Sequence, residues 1–127
     1  MIKYLKLSFL VLFFSGTLFA QQSSVYTHEL TEFNRAVELY KDKQYQAAQI
    51  LFDKVKSKTD NMEVESDCAY YIANCAIRLD QMGADFLVES FVEDYPTSTK
   101  TNQAYIEVAH YYFDQGNYPK SLEWFDK

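Results

Sequence analysis

The side chains best suited to chemistry here are two histidines, His28 and His110, two cysteines, Cys68 and Cys75, and the acidic run Glu63, Glu65, Asp67. A hydrolase of the nucleophile–base type needs a Ser, Cys or Thr beside a base that a third group orients. Neither histidine has a Ser, Cys or Asp near it in such an order. Cys68 and Cys75 lie seven residues apart on an expected helix, which separates their Cα atoms by roughly 10 Å. A disulfide needs about 4.4–6.8 Å, so the two thiols cannot bridge each other there. They read as small buried apolar residues, and a metal site would need further ligands that the sequence does not place nearby. The carboxylates Glu63, Glu65 and Asp67 read as the solvated, dipole-favoured start of a helix rather than an acid–base pair. No Gly-rich phosphate loop is present, and no cofactor is expected. The chain therefore points to binding, without catalysis.

Binding would be done by helices. Only three Gly and two Pro occur in 127 residues, of which 48% are hydrophobic, and this suits an all-α fold. The clearest unit is Ala104 to Lys127. Tyr105, Val108, Ala109, Tyr112 and Phe113 form one stripe at helical spacing. Gly116 can take the positive φ that ends this helix, and Asn117 and Pro119 suit the start of the next. Leu122 and Phe125, an i, i+3 apolar pair, are expected to point back at the first helix, with small Ala109 allowing close approach.

Upstream, Leu30, Phe33, Ala36, Val37 and Tyr40 form a helical stripe, followed by the turn Asp42–Lys43–Gln44 and a second stripe of Tyr45, Ala48, Leu51, Phe52 and Val55. Lys56 to Asn61 is a polar hinge, with Asp60 or Asn61 available as a cap. Ala69, Ile72, Ala73, Ala76, Ile77 and Leu79 mark a third helix, and Phe86, Leu87, Phe91 and Val92 a fourth. That helix stops at Tyr95–Pro96 because proline disfavours helical geometry in the preceding residue. Ser98 or Thr99 is expected to cap the fifth. Ala36, Ala73 and Ala109 are spaced by 37 and 36 residues, and the pairs Tyr45/Tyr118 and Phe52/Phe125 are each 73 apart. One unit of about 36 residues thus recurs.

Tyr105, Ala109, Tyr112, Gly116, Tyr118, Ser121 and Phe125 resemble the signature of the tetratricopeptide repeat (TPR), a helix–turn–helix unit of about 34 residues. Ala36, Tyr45, Ala48, Phe52 and Ala73 are similar to the same positions in earlier copies. Ser121 stands where Ala is usual, and Lys43 where the turn glycine is usual. The run FVEDYPTS, from Phe91 to Ser98, is similar to the repeat ends of exported bacterial cell-envelope TPR proteins, of the outer-membrane assembly and Tol-Pal coordinator types. The resemblance implies a TPR-like α-α superhelix, or solenoid, of about three hairpins (27–58, 61–96 and 98–127), the last one truncated. Solenoid ends normally need a polar cap, so the chain is expected to be the N-terminal portion of a longer array, or to have its end buried by another chain.

In this family the concave side is lined by the first helix of each unit and holds segments of partner proteins. The groove positions implied are Asp67, Tyr70, Asn74, Ile77 and Arg78 in the second copy, and Gln103, Ile106, His110 and Phe113 in the third. Tyr70, Ile77, Ile106 and Phe113 are equally placed to pack against an adjacent repeat. A clamp for a terminal carboxylate would use several Lys, Arg and Asn residues, and only Asn74 and Arg78 fit, so a mixed polar and aromatic groove is expected instead.

Residues 1–20 have the layout of a signal peptide: Lys3 and Lys6, the apolar run from Leu7 to Phe14, then Ser15–Gly16–Thr17 leading to small Ala20, with a larger Leu18 at the minus-three position. Cleavage is expected after Ala20, leaving a frayed linker at 21–26 and a repeat domain at 27–127. No Cys near that point could carry a lipid, so any outer-membrane association would run through a partner. The whole chain has a net charge of −6, and loss of Lys3 and Lys6 makes it −8. Such a surface repels nucleic acid phosphates and anionic lipid. The sequence thus anticipates an exported, non-catalytic scaffold for protein or peptide segments in the periplasm or cell envelope. With 11 tyrosines to stack on sugars, a carbohydrate- or polymer-binding module of an envelope uptake system is the second expectation.

Overall fold

The computed structural model describes residues 27–127, so the expected leader and linker lie outside the described residues. Two compact units divide the chain, Met1–Thr31 and Glu32–Lys127. In the first, Thr31 Oγ1 donates to the Thr27 carbonyl at 2.8 Å within a helical turn. Among the described residues there are six helices and no strand. They are α1 (27–41), α2 (Tyr45–Lys56), α3 (Met62–Arg78), α4 (Ala84–Asp94), α5 (Thr101–Asp114) and α6 (Tyr118–Phe125).

One turn occurs three times. Lys43, Asp80 and Gly116 all have positive φ (60°, 51° and 74°), and they are spaced by 37 and 36 residues. Each sits just past the end of an odd-numbered helix, and the hydrogen bonds around each are alike. Lys43 N donates to Tyr40 O (3.0 Å) and Gln44 N to Leu39 O (2.9 Å). Asp80 N and Gln81 N donate to Ile77 O and Ala76 O, and Gly116 N and Asn117 N to Phe113 O and Tyr112 O. This is the Schellman closure, in which a left-handed residue lets two amides reach back to otherwise unpaired carbonyls. Lys43 thus adopts the conformation that glycine supplies at 116.

Helix starts are only partly side-chain capped. Asn61 Oδ1 accepts from Glu63 N (2.9 Å) and Val64 N (3.2 Å) at the start of α3, and Asn117 Oδ1 accepts from Lys120 N (3.4 Å) at the start of α6. Neither Ser98 nor Thr99 caps α5. The helix begins at Thr101 without a side-chain cap, and Ser98 Oγ instead accepts from Lys100 N in the turn before it. Tyr95, ahead of Pro96, leaves helical geometry at φ −126°, as proline requires of its predecessor.

The core lies in two clusters, and α3 belongs to both. Cys68 and Cys75 join Ala36, Ala48, Phe52 and Val55 from α1 and α2. Tyr70, Ala73, Ala76 and Ile77 join residues of α4 and α5, with Trp124 of α6. Tyr71 completes the first cluster, stacked on Phe52 at 4.7 Å with the rings 3° from parallel. Ala36, Ala73 and Ala109 are all buried, as small residues at close helix crossings should be.

Helix α6 departs from expectation. Ser121 and Trp124 are its buried residues, whereas Tyr118, Leu122 and Phe125 face solvent. The helix is rotated so that the large indole, ringed by α5 and 5.9 Å from Tyr105, fills the space against α5. Tyr118 and Phe125 thus lie outside the buried core and meet α5 at its exposed face, against Phe113 and His110. Tyr45 and Tyr112 are half-buried, and Gly116 lies exposed in its turn.

Candidate functional site

The nine residues expected to line a groove separate into three environments. Tyr70, Asn74 and Ile77 are buried: Tyr70 and Ile77 take the packing alternative that the sequence left open, and Asn74 is corrected from its expected place on an open surface. Helices α4 and α5 cover that side of α3: Phe91 meets the Tyr70 ring edge-on at 5.8 Å, and Asn74 Nδ2 donates to the Tyr70 carbonyl at 3.1 Å. Burial, then the neighbouring Glu107 carboxylate, pushes the Tyr70 hydroxyl far above its usual pKa. These side chains form the seam between hairpins.

Asp67 and Arg78 are half-buried and already engaged. Asp67 pairs with Lys100 Nζ at 2.9 Å. Arg78 Nε donates to the Tyr40 hydroxyl at 3.0 Å, and its guanidinium lies 5.6 Å and 5.5 Å from the ring centres of Tyr40 and Tyr45. Burial raises the Tyr40 pKa to about 12 although Arg78 opposes the rise. Arg78 thus clips α3 onto the first hairpin.

Gln103, Ile106, His110 and Phe113 are exposed. Gln103 Nε2 donates to Glu107 Oε1 at 2.9 Å. The other three lie at i, i+4 and i+7 on α5, and α6 adds Tyr118, Leu122 and Phe125 at the same spacing. The two stripes touch: Phe113 meets Tyr118 edge-on at 5.3 Å and His110 meets Phe125 at 5.4 Å. The five apolar members of this face are between 49% and 62% exposed. A continuous patch this rich in large apolar residues is unusual on a surface with nothing to bind.

A cleft of about 370 Å³ lies where the start of α3 meets the segment after α4, lined by Met62, Ser66, Asp67, Tyr95, Pro96 and Lys100 among others. Tyr95 donates its hydroxyl to Glu65 at 2.7 Å on the same side. With Asp67 neutralised by Lys100, the cleft offers hydrogen bonds but no activated nucleophile. Cys68 and Cys75 are free and buried, and burial pushes each thiol up to about 12, which keeps both protonated and unreactive. Among the described residues no group of three or more His, Cys, Asp or Glu is arranged to hold a metal ion, and no helix is long and apolar enough to cross a membrane.

Sequence reasoning missed three participants. Tyr71 is the central aromatic of the first seam, hidden because α3 is apolar nearly all round. Trp124 anchors α6, and its i, i+3 spacing from Ser121 was the available signal. Asp85 receives both the Tyr112 hydroxyl (3.0 Å) and Lys120 (2.7 Å), tying α4 to the last hairpin. No protein family, curated protein or solved structure matches the chain.

Proposed function

We propose that this chain is an exported, TPR-like stack of helical hairpins that serves as a non-catalytic scaffold for protein segments in the periplasm or cell envelope. The observation that carries this reading is the threefold recurrence of one closure, at Lys43, Asp80 and Gly116, with a small buried alanine in the helix before each. Units that repeat in this way bury their apolar faces only on one another, and stacked units present long surfaces to partners. The residue inventory supports binding over chemistry, since Asp67, Tyr95 and Lys100 in the cleft are engaged with partners and both thiols are buried. The acidic surface favours neutral or basic protein partners.

The test uses the full chain in a bacterial host, with a photo-crosslinking residue at exposed Gln103. The expected result is a processed chain starting at Gln21 in the exported fraction, crosslinked to discrete envelope proteins. An unprocessed chain that stays in the cytoplasm, or one that is exported but crosslinks to nothing, would overturn the proposal.

A further inference from the structure

The α5–α6 face has an internal template. Moving back 73 residues maps it onto the α1–α2 face, which α3 covers. Phe125 corresponds to Phe52, which is fully buried beneath the Tyr71 ring. Phe113 and Tyr118 correspond to Tyr40 and Tyr45, and the two ring pairs have nearly the same geometry: 5.3 Å and 64° against 5.4 Å and 67°. Arg78 rests on the earlier pair. Leu122 corresponds to Gln49, whose amide exchanges two hydrogen bonds with Gln81 (3.0 and 2.8 Å). The middle hairpin gives a second precedent, because the equivalents of Ile106, His110 and Phe113 are Tyr70, Asn74 and Ile77, all buried beside α5. In the first unit a helix covers this face; in the middle one α5 covers the α3 half, while Met82 and Phe86, the equivalents of Tyr118 and Leu122, are exposed.

We propose that the α5–α6 face is a docking site for one amphipathic helix that presents an aromatic, a basic and an apolar residue and lies as α3 lies on α1–α2. Its recognition stripe follows from the template. An aromatic residue stacks on Phe125, as Tyr71 stacks on Phe52. Seven residues on, an Arg or Lys sits over the Phe113–Tyr118 pair, as Arg78 sits over Tyr40 and Tyr45. Three further on, where α3 is followed by Gln81, the residue is apolar, because Leu122 has no amide to return a hydrogen bond. The basic residue also suits the acidic balance of the chain. A second copy stacked head to tail is a poor occupant. The α1 positions equivalent to Tyr71, Cys75 and Arg78 are Asn34, Glu38 and Lys41, all exposed, and Glu38 and Lys41 pair with each other at 2.9 Å. Seating them on Phe113, Leu122 and Phe125 would bury charge against apolar surface.

The probe is a labelled synthetic peptide of residues 62–81 carrying Gln81→Leu, titrated with the full chain and followed by fluorescence anisotropy. Saturable binding is expected, weakened at least about tenfold by Phe125→Asp in the chain or by Tyr71→Ala in the peptide, as for a central aromatic anchor. Restoring Gln81 in the peptide should weaken binding several-fold. Ile50→Asp, at an exposed apolar site on α2, should leave it unchanged, and unaltered melting of both chain variants verifies their fold. Absence of saturable binding, or binding indifferent to Phe125→Asp or to Tyr71→Ala, overturns the proposal. So does a concentration-dependent dimer in sedimentation that Phe125→Asp abolishes, which would assign the face to a second copy. None of these outcomes depends on export or on crosslinks from Gln103.

Discussion

Phe52 and Phe125 are the same residue type at equivalent positions of two hairpins, and truncating each to alanine isolates the effect of the covering helix. Phe52 is fully buried, with the Tyr71 ring stacked on one side and Phe33 edge-on at 5.7 Å. Its removal loses the transfer free energy of the ring and leaves a cavity that the neighbours cannot close, about 3–5 kcal/mol in all. Phe125 is 49% exposed, so roughly half of the ~1.5–3 kcal/mol of a buried side chain is at stake. Water fills the space it vacates, and no cavity remains. Phe125→Ala should therefore cost about 1 kcal/mol, and the two variants should differ by about 2–4 kcal/mol. In a domain of this size each kcal/mol moves the melting temperature by about 4–8 °C. Phe52→Ala should then melt at least ~12 °C below the parent, and Phe125→Ala within ~8 °C of it. Urea titrations followed by far-ultraviolet circular dichroism give both free energies. Equal losses would refute the reasoning, because they would mean that Phe125 is as well covered as Phe52.

Lys43→Gly should stabilise by about 0.5–1 kcal/mol and Gly116→Ala destabilise by about 1 kcal/mol, since both positions need positive φ and only glycine adopts it freely. Nothing lies within 4 Å of a Cβ at 116, so any cost there is conformational; a stabilising Gly116→Ala in thermal melts would contradict this account. Stability should also fall in strong alkali. Tyr40 is held neutral, with its pKa raised from 10.0 to about 12 by burial, so the unfolded chain ionises first and the loss develops between about pH 10 and 12. The Cys68 and Cys75 thiols, raised from 9.0 to about 12, add to the same loss from about pH 9 upward. Tyr40→Phe removes the hydroxyl that accepts from Arg78 and should cost about 1 kcal/mol at neutral pH. That deficit should shrink above about pH 10, vanish near about pH 11 and reverse towards pH 12, and a deficit independent of pH in urea titrations would show that Tyr40 does not titrate as argued.

The hairpins were legible in the sequence because their ends are chemically explicit. Gly116, Asn117 and Pro119 announce one turn, and the 37- and 36-residue spacing of three alanines carries its register back to Asp80, a residue type that tolerates positive φ, and to Lys43, which no local propensity would place there. Facing was harder to read. On α6 the pairs Leu122/Phe125 and Ser121/Trp124 have the same spacing and differ by one residue of rotation, and the polar Ser121 concealed the stripe that is buried. On α3, apolar residues run almost without a gap from Tyr70 to Ile77, so no single stripe stands out and Tyr70, Asn74 and Ile77 could be taken for a groove. That continuity has a cause: α3 is packed on two sides, against α1–α2 and against α4–α5. The same test separates the other odd-numbered helices. Helix α1 is one-sided, with Asn34, Arg35, Glu38 and Lys41 exposed opposite Ala36. Helix α5 has α3's two-sided pattern: Ala104, Val108 and Ala109 face the core, while Ile106 and Phe113 extend the apolar surface to its other flank. That flank of α5 thus exposes the kind of apolar surface that α3 keeps covered.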